Sequence, residues 1–163
     1  MSLDAIEILS RLGDRFTFRA RAAPIHHALR ADYRIATLLL MLHHCGRGGR
    51  ASLVKLHLLN WASRQPGSRR ALLDRLDGKL HFTDLPLKFD PAFNRAVDLA
   101  RGEGLVERDV SQSITIIPKG EKFVSEIIAD SACMVHEKHF FSSVGKRITD
   151  AKMKQMINPT TIW

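Results

Sequence analysis

Residues 104–123 read GLVERDVSQSITIIPKGEKF, and this stretch decides the fold. It predicts two short strands, Leu105 to Arg108 and Ile114 to Ile117, joined by Val110 to Ser113. The joining turn lacks an Asn-Gly pair, so its geometry stays open. A helix should follow from Pro118, because proline is favoured at the first helical position. The side chains of that helix expected to face the core are Phe123, Val124, Ile127 and Ile128.

Three helices are predicted between residues 32 and 80. Asp32 is the expected N-cap of the first, which ends in the glycines of the loop GRGG at 46–49. Ser52 should cap the second helix, Leu53 to Ala62. Ser68 should open the third, which Gly78 closes. The inward stripe of the first helix is Ile35, Leu38, Leu39 and Leu42, and that of the third is Leu72, Leu73 and Leu76.

The clearest helix start is Asp90-Pro91, an acidic N-cap followed by a proline at the first position. Residues 79–89 lack periodicity and are interpreted as a surface connection. Gly102 and Gly104 stop the helix just before the hairpin. Its predicted buried stripe is Phe93, Ala96, Val97 and Ala100.

The order of elements predicts a mostly α-helical protein. A compact helical trio followed by a two-stranded hairpin is the layout of a winged helix. We assign residues 32–131 to this domain. We expect an N-terminal helix and a basic extended arm in residues 1–31, and two C-terminal helices, about 134–144 and 149–157, in residues 132–163.

Net charge is +8 and lies entirely in the first half of the chain. Residues 1–75 carry 13 Lys or Arg against 5 Asp or Glu, whereas residues 76–163 carry 12 of each. Such asymmetry suggests an anionic partner, either nucleic acid or an acidic protein face. An ordinary solvated surface explains it equally well.

The chain has the composition of a cytoplasmic protein. Its two cysteines, Cys45 and Cys133, are far apart and read as reduced thiols. The first residues show no signal peptide. The longest apolar stretch, Ile35 to Leu42, is too short to span a bilayer, so no membrane contact is expected.

No catalytic, cofactor or metal site is predicted. Cys133, His136 and His139 recur at one-turn spacing, but they drift around the helix axis and lack a fourth ligand. The loop GRGG at 46–49 is not followed by Lys-Ser/Thr, so it is not a phosphate-binding loop of the Walker type. No nucleophile, base and orienting group can be proposed together, which predicts a protein without enzymatic activity.

DNA reading has weak support in the sequence. The helix that would enter the major groove shows Asn94, Arg95, Asp98 and Arg101 to solvent, so an aspartate would face phosphates. The residues of the wing tip, 110–113, carry no positive charge. The basic surplus lies upstream of both.

Two stretches resemble a known family. They are LVKLHLLNWA at 53–62 and FDPAFNRAVDLARGEGLVE at 89–107. Both are similar to the middle components of bacterial ABC three-component systems, including the small subunit of Lamassu-type anti-phage complexes. The resemblance covers about residues 30–157. One departure is Ile117, where a Thr or Ser cap would normally precede Pro118.

The resemblance implies a winged-helix accessory subunit of an SMC-like coiled-coil ATPase. Such a subunit would bridge the ATPase to a nuclease effector in anti-phage or anti-plasmid defence. The alternative is a winged-helix transcriptional regulator that binds DNA as a two-fold dimer. Direct DNA contact through the basic half and a homodimer both stay open. The candidate contact residues for partner or DNA are Arg15, Phe16, Phe18, Arg19, Arg21, Arg30, Arg34, Asn94, Arg95 and Arg101.

Overall fold

The computed structural model describes residues 26–79, 89–149 and 152–153. Within these ranges the protein is mostly helical, as the sequence predicts, and adds one three-stranded antiparallel sheet. The helices are α1 (Ala31–Cys45), α2 (Leu53–Ser63), α3 (Pro66–Leu76), α4 (Pro91–Gly102), α5 (Pro118–Ala129) and α6 (Val135–Val144). The strands are β1 (Arg50–Ser52), β2 (Val106–Arg108) and β3 (Ser113–Ile116), and 3-10 turns occupy His27–Leu29 and Gly145–Arg147.

Helix α1 is the centre of the core. It packs against α4, α5 and α6 and also touches the sheet. The predicted stripe is correct for its three leucines, but Leu40 and Met41 are fully buried as well. A helix that is apolar around most of its circumference needs cover on several sides, which the surrounding elements supply.

Two of the four predicted N-cap residues cap their helices in the structure. Ser52 Oγ accepts from Lys55 N at 3.3 Å and Asp90 Oδ1 from Ala92 N at 2.9 Å, which confirms both N-caps. Asp32 is not a cap, because α1 begins one residue earlier, after Arg30. Helix α3 begins at Pro66, not Ser68, since a proline at the first helical position leaves no N–H to satisfy.

The hairpin β2–β3 confirms the predicted strand pair, and the structure adds a third strand that the sequence did not reveal. Strand β1 pairs with the other edge of β3, with Ala51 opposite Ile114, so the order is β1-β3-β2. The turn between β2 and β3 is built by Asp109, whose Oδ1 accepts from Ser113 N at 2.9 Å and from Ser111 Oγ at 2.7 Å. Gln112 completes the turn with a φ of 62°.

Helix α5 begins at Pro118 as predicted, although Ile117 supplies no side-chain cap. Its buried residues are Gly120, Val124 and Ile127, spaced four and three residues apart. The prediction was wrong for Phe123, which is 42% exposed because it lies beside this stripe.

The C-terminal part completes the same core. Phe140, Phe141 and Val144 of α6 are buried in one cluster with the leucines of α1, and Ile148 and Met153 join it. The predicted boundary at residue 131 therefore does not separate two cores. The predicted N-terminal helix and arm, most of the 79–89 connection and most of the 149–157 helix lie outside the described residues. No helix in the described ranges has both the length and the apolar character to cross a bilayer.

Candidate functional site

Helix α4 turns a mixed face to solvent. Its apolar stripe of Phe93, Ala96, Val97 and Ala100 is buried, as predicted, so the intervening residues point outward. Asn94, Arg95, Asp98 and Arg101 are exposed, as the sequence indicates. Leu99 joins them with half of its surface exposed (50%), and sequence reasoning did not single it out.

The turn between β2 and β3 extends this face. Arg101, Arg108, Val110 and Gln112 line a shallow depression of about 360 Å³. Arg108 donates to the Gln112 side chain. Val110 is fully exposed at the tip of the turn. Together, the exposed side of α4 and this turn form a continuous surface, called below the α4–turn face.

Folding brings a positive charge close to the turn between β2 and β3. Strand β1 places Arg50 beside the turn, where its guanidinium pairs with Asp109 and lies 3.3 Å from Ser111 Oγ. The sequence separates these residues by about sixty positions, so only the unforeseen β1–β3 pairing brings them together. The ion pair with Asp109 neutralises most of the charge of Arg50.

Asn94 is held by a buried histidine. His57 Nδ1 accepts from the Asp90 N–H at 3.4 Å, so the ring proton sits on Nε2 and is donated to Asn94 Oδ1 at 2.8 Å. Burial lowers the pKa of His57, against smaller opposing effects of Asn94 and Asp90, so the ring is neutral near pH 7. The Asn94 carbonyl oxygen, one of the two side-chain groups with which an asparagine reads an adenine edge, is thus already engaged.

Asp90 connects the start of α4 to the helices behind it. Its Oδ2 lies 2.7 Å from Arg34 Nη1 and 3.5 Å from both Asn60 Nδ2 and Arg64 Nη1. Burial opposes ionisation of this carboxyl, but the hydrogen bond and charge of Arg34 outweigh it, so the pKa of Asp90 lies below its ordinary value.

Arg34 is therefore not a surface contact, contrary to the expectation from the sequence. It is 9% exposed, and its guanidinium is committed to Asp90. Arg30 is exposed but donates to both carboxylate oxygens of Asp32, at 3.1 and 2.5 Å. Of the candidate contact residues, Asn94, Arg95 and Arg101 share one face. Arg15, Phe16, Phe18, Arg19 and Arg21 lie outside the described residues.

Groups suited to metal binding do not converge in the described ranges. No three His, Cys, Asp or Glu side chains there cluster as a metal site would require. Burial raises the pKa of the Cys45 thiol to about 12, and its Sγ lies 3.5 Å from Phe141 O, so this thiol is protonated at neutral pH.

Comparison with known proteins gives no relative. No protein-family model, curated protein or solved structure matches the chain.

Proposed function

We propose that this protein is a non-catalytic winged-helix subunit that docks onto a protein partner through the α4–turn face. The winged-helix part of the proposal is supported by the element order α1, β1, α2, α4, β2, β3 and by the β1-β3-β2 sheet, if α3 is an insertion between the second and third helices. In that arrangement α4 holds the position of the recognition helix and the β2–β3 turn that of the wing.

The observation that carries the proposal is the exposed apolar surface of this face, where an aspartate lies among the arginines. Leu99 and Val110 expose apolar surface there, and Asp98 would repel phosphates. Asn94 is tied to His57. Exposed apolar side chains bordered by arginines are typical of protein interfaces, where the core is apolar and the rim polar.

The partner follows from the resemblance of residues 53–62 and 89–107 to middle components of ABC three-component systems. We assign the protein as the accessory subunit of a cytoplasmic SMC-like ATPase, which it bridges to a nuclease effector in defence against phage or plasmid DNA. The α4–turn face would contact the ATPase.

Co-expression with an SMC-like coiled-coil ATPase, to be sought among the neighbouring genes, tests this proposal. Leu99→Glu and Val110→Asp should each abolish co-purification or weaken it at least tenfold, because a desolvated carboxylate in an apolar contact is unfavourable. Val135→Asp is the matched control: Val135 is also 50% exposed but lies on α6. Full complex formation by both face variants would contradict the proposal.

A DNA-binding regulator is the second candidate, and three cations favour it. Arg95, Arg101 and Arg108 lie on the α4–turn face. There they could contact the phosphates of a DNA backbone. A regulator should protect a defined palindromic site and lose that protection on Arg95→Gln. Binding that is indifferent to sequence and falls steeply with salt would reflect phosphate neutralisation alone.

A further inference from the structure

A pocket of about 580 Å³ lies between β1, the start of α2 and the turn that follows α6. Its volume falls within the roughly 300–1,000 Å³ of small-molecule sites. Among the described residues that line it are four cations and no carboxylate. These cations are Arg47, Arg50, Lys55 and Lys146.

The turn at Gly48-Gly49 brings two of the cations together. Both glycines have positive φ, 60° and 70°, as a tight hairpin turn requires. Arg47 N donates to Arg50 O at 2.9 Å and Arg50 N to Arg47 O at 3.3 Å, so the two residues face each other across the turn. The sequence GRGGR therefore places two arginines opposite each other in the lining of the pocket.

The four cations have different roles. Lys55 is 6% exposed and donates to Cys45 O and Ile148 O, each at 2.7 Å, which joins α1 to the segment after α6 and fixes the pocket wall. Arg50 is paired with Asp109. The side chains of Arg47 and Lys146 are exposed and form no hydrogen bond or ion pair with another described residue, so their charge is available to a ligand.

Two further features define the ligand. The N-terminus of α2 begins after Ser52 in the pocket lining and adds the positive end of a helix dipole, although its Leu53 and Lys55 N–H groups already donate to Gln112 O and Ser52 Oγ. Ala51 and Ile148 supply an apolar part of the wall. A single inorganic phosphate would leave most of this volume empty, whereas an organic phosphate would fill both the charged and the apolar parts.

We infer that this pocket binds a small organic phosphate of nucleotide size. Arg47, Lys146 and the start of α2 would hold the phosphate groups, and the wall at Ala51 and Ile148 would cover the organic part. The residues that would bind this ligand lie outside the α4–turn face. A test of ligand binding is therefore independent of the docking proposal.

Titration calorimetry on the full chain at about 150 mM salt, where exposed charges are screened beyond about 8 Å, tests the inference. ATP should bind, inorganic phosphate should bind more weakly, and uncharged adenosine should give no heat. Arg47→Gln and Lys146→Gln should each weaken ATP binding about tenfold, a loss of about 1.4 kcal/mol. Lys122→Gln is the control, since this exposed lysine of α5 is absent from the pocket lining.

Three results would overturn the inference. The first is the absence of heat with both ATP and phosphate. The second is unchanged ATP affinity in both variants, each confirmed as folded by its melting temperature. The third is that a 20-base-pair DNA duplex binds, this binding is lost in Arg47→Gln, and ATP does not bind. That result would mean that the pocket contacts the backbone of a nucleic acid.

Discussion

Arg34 Nη1 lies 2.7 Å from Asp90 Oδ2, and this ion pair joins the central helix α1 to the first turn of α4. The two side chains are only 10% and 13% exposed. Asp90 also caps α4 and supports the His57–Asn94 contact through its backbone N–H. The orientation of the α4–turn face therefore depends on a buried charge pair behind it.

We predict that Arg34→Met destabilises the protein by about 3 kcal/mol, because it leaves the Asp90 carboxylate buried without its main cation. Asp90→Asn should cost less, since asparagine keeps the N-cap. Urea denaturation of both single variants and the double variant measures the coupling between the two residues.

The double variant should be more stable than Arg34→Met alone, because it no longer buries an unpaired charge. Arg30→Met is the control and should leave the urea midpoint unchanged, since the Arg30–Asp32 pair is exposed. Additive losses in the double variant would show that the Arg34–Asp90 pair contributes no coupling.

We predict that stability declines as the pH falls from about 6.5 toward 5. Burial lowers the pKa of His57 from the ordinary 6.5, so the unfolded chain takes up a proton in this window before the folded protein does. His44 acts in the same direction, since burial also lowers its pKa. Asp90 contributes nothing here, because its pKa lies below the ordinary 3.8 and its stabilisation is lost only at lower pH.

Urea midpoints at pH 7.5, 6.5 and 5.5 measure this decline. Each histidine contributes at most about 1.4 kcal/mol per pH unit. His57→Gln and His44→Gln should each flatten the profile, while His136→Gln on the exposed side of α6 should not. A wild-type profile that is flat over this range would contradict the prediction.

Much of the helical part of the fold could be predicted, because the capping residues and the spacing of apolar residues indicate the same helix starts and the same buried faces. The Asp90 cap and the spacing of Phe93, Ala96, Val97 and Ala100 give α4 its correct start and its correct buried face. Strand β1 could not be predicted, because the three residues Arg50–Ser52 are too few to show alternation. The strand exists because β3 offers a free edge, which is a tertiary effect.

The candidate site was harder to predict, because charge and apolarity do not determine exposure. Arg34 was expected at the surface, yet it lies four residues before Leu38 and seven before Met41, on a stripe that the helix buries. This spacing was the one sign in the sequence that Arg34 is buried. Its partner is 56 residues away, and only the folded chain brings them together. The pocket cations likewise come from separate elements, β1, α2 and the turn after α6.

We predict that one of the two cysteines reacts with a thiol reagent in the folded protein. Cys45 is fully buried, and burial raises the pKa of its thiol to about 12, so almost no thiolate forms at pH 8. Cys133 is partly exposed just before α6. Titration with Ellman's reagent should give one fast thiol per native chain and two in denaturant. Rapid labelling of a Cys133→Ser variant would show that Cys45 is accessible.

The last prediction concerns the turn that places Arg47 opposite Arg50. Gly48 and Gly49 both have positive φ, which costs a residue with a Cβ about 1–2 kcal/mol. A Cβ on Gly48 would meet nothing within 4 Å, whereas one on Gly49 would lie 2.5 Å from Ile116 Cγ2. Gly49→Ala should therefore destabilise the protein more than Gly48→Ala does. Gly48→Asn should stay close to wild type, because asparagine tolerates this conformation.

Urea denaturation of the three variants separates backbone strain from steric overlap. Gly48→Ala reports the strain alone, and the additional loss in Gly49→Ala reports the overlap with β3. Ile116→Ala removes Cγ2, so Gly49→Ala should cost less in an Ile116→Ala background than in the wild-type chain. Equal losses in the two alanine variants would mean that the turn moves away from β3 to make room. In that case the backbone pairing of Arg47 with Arg50 would change as well.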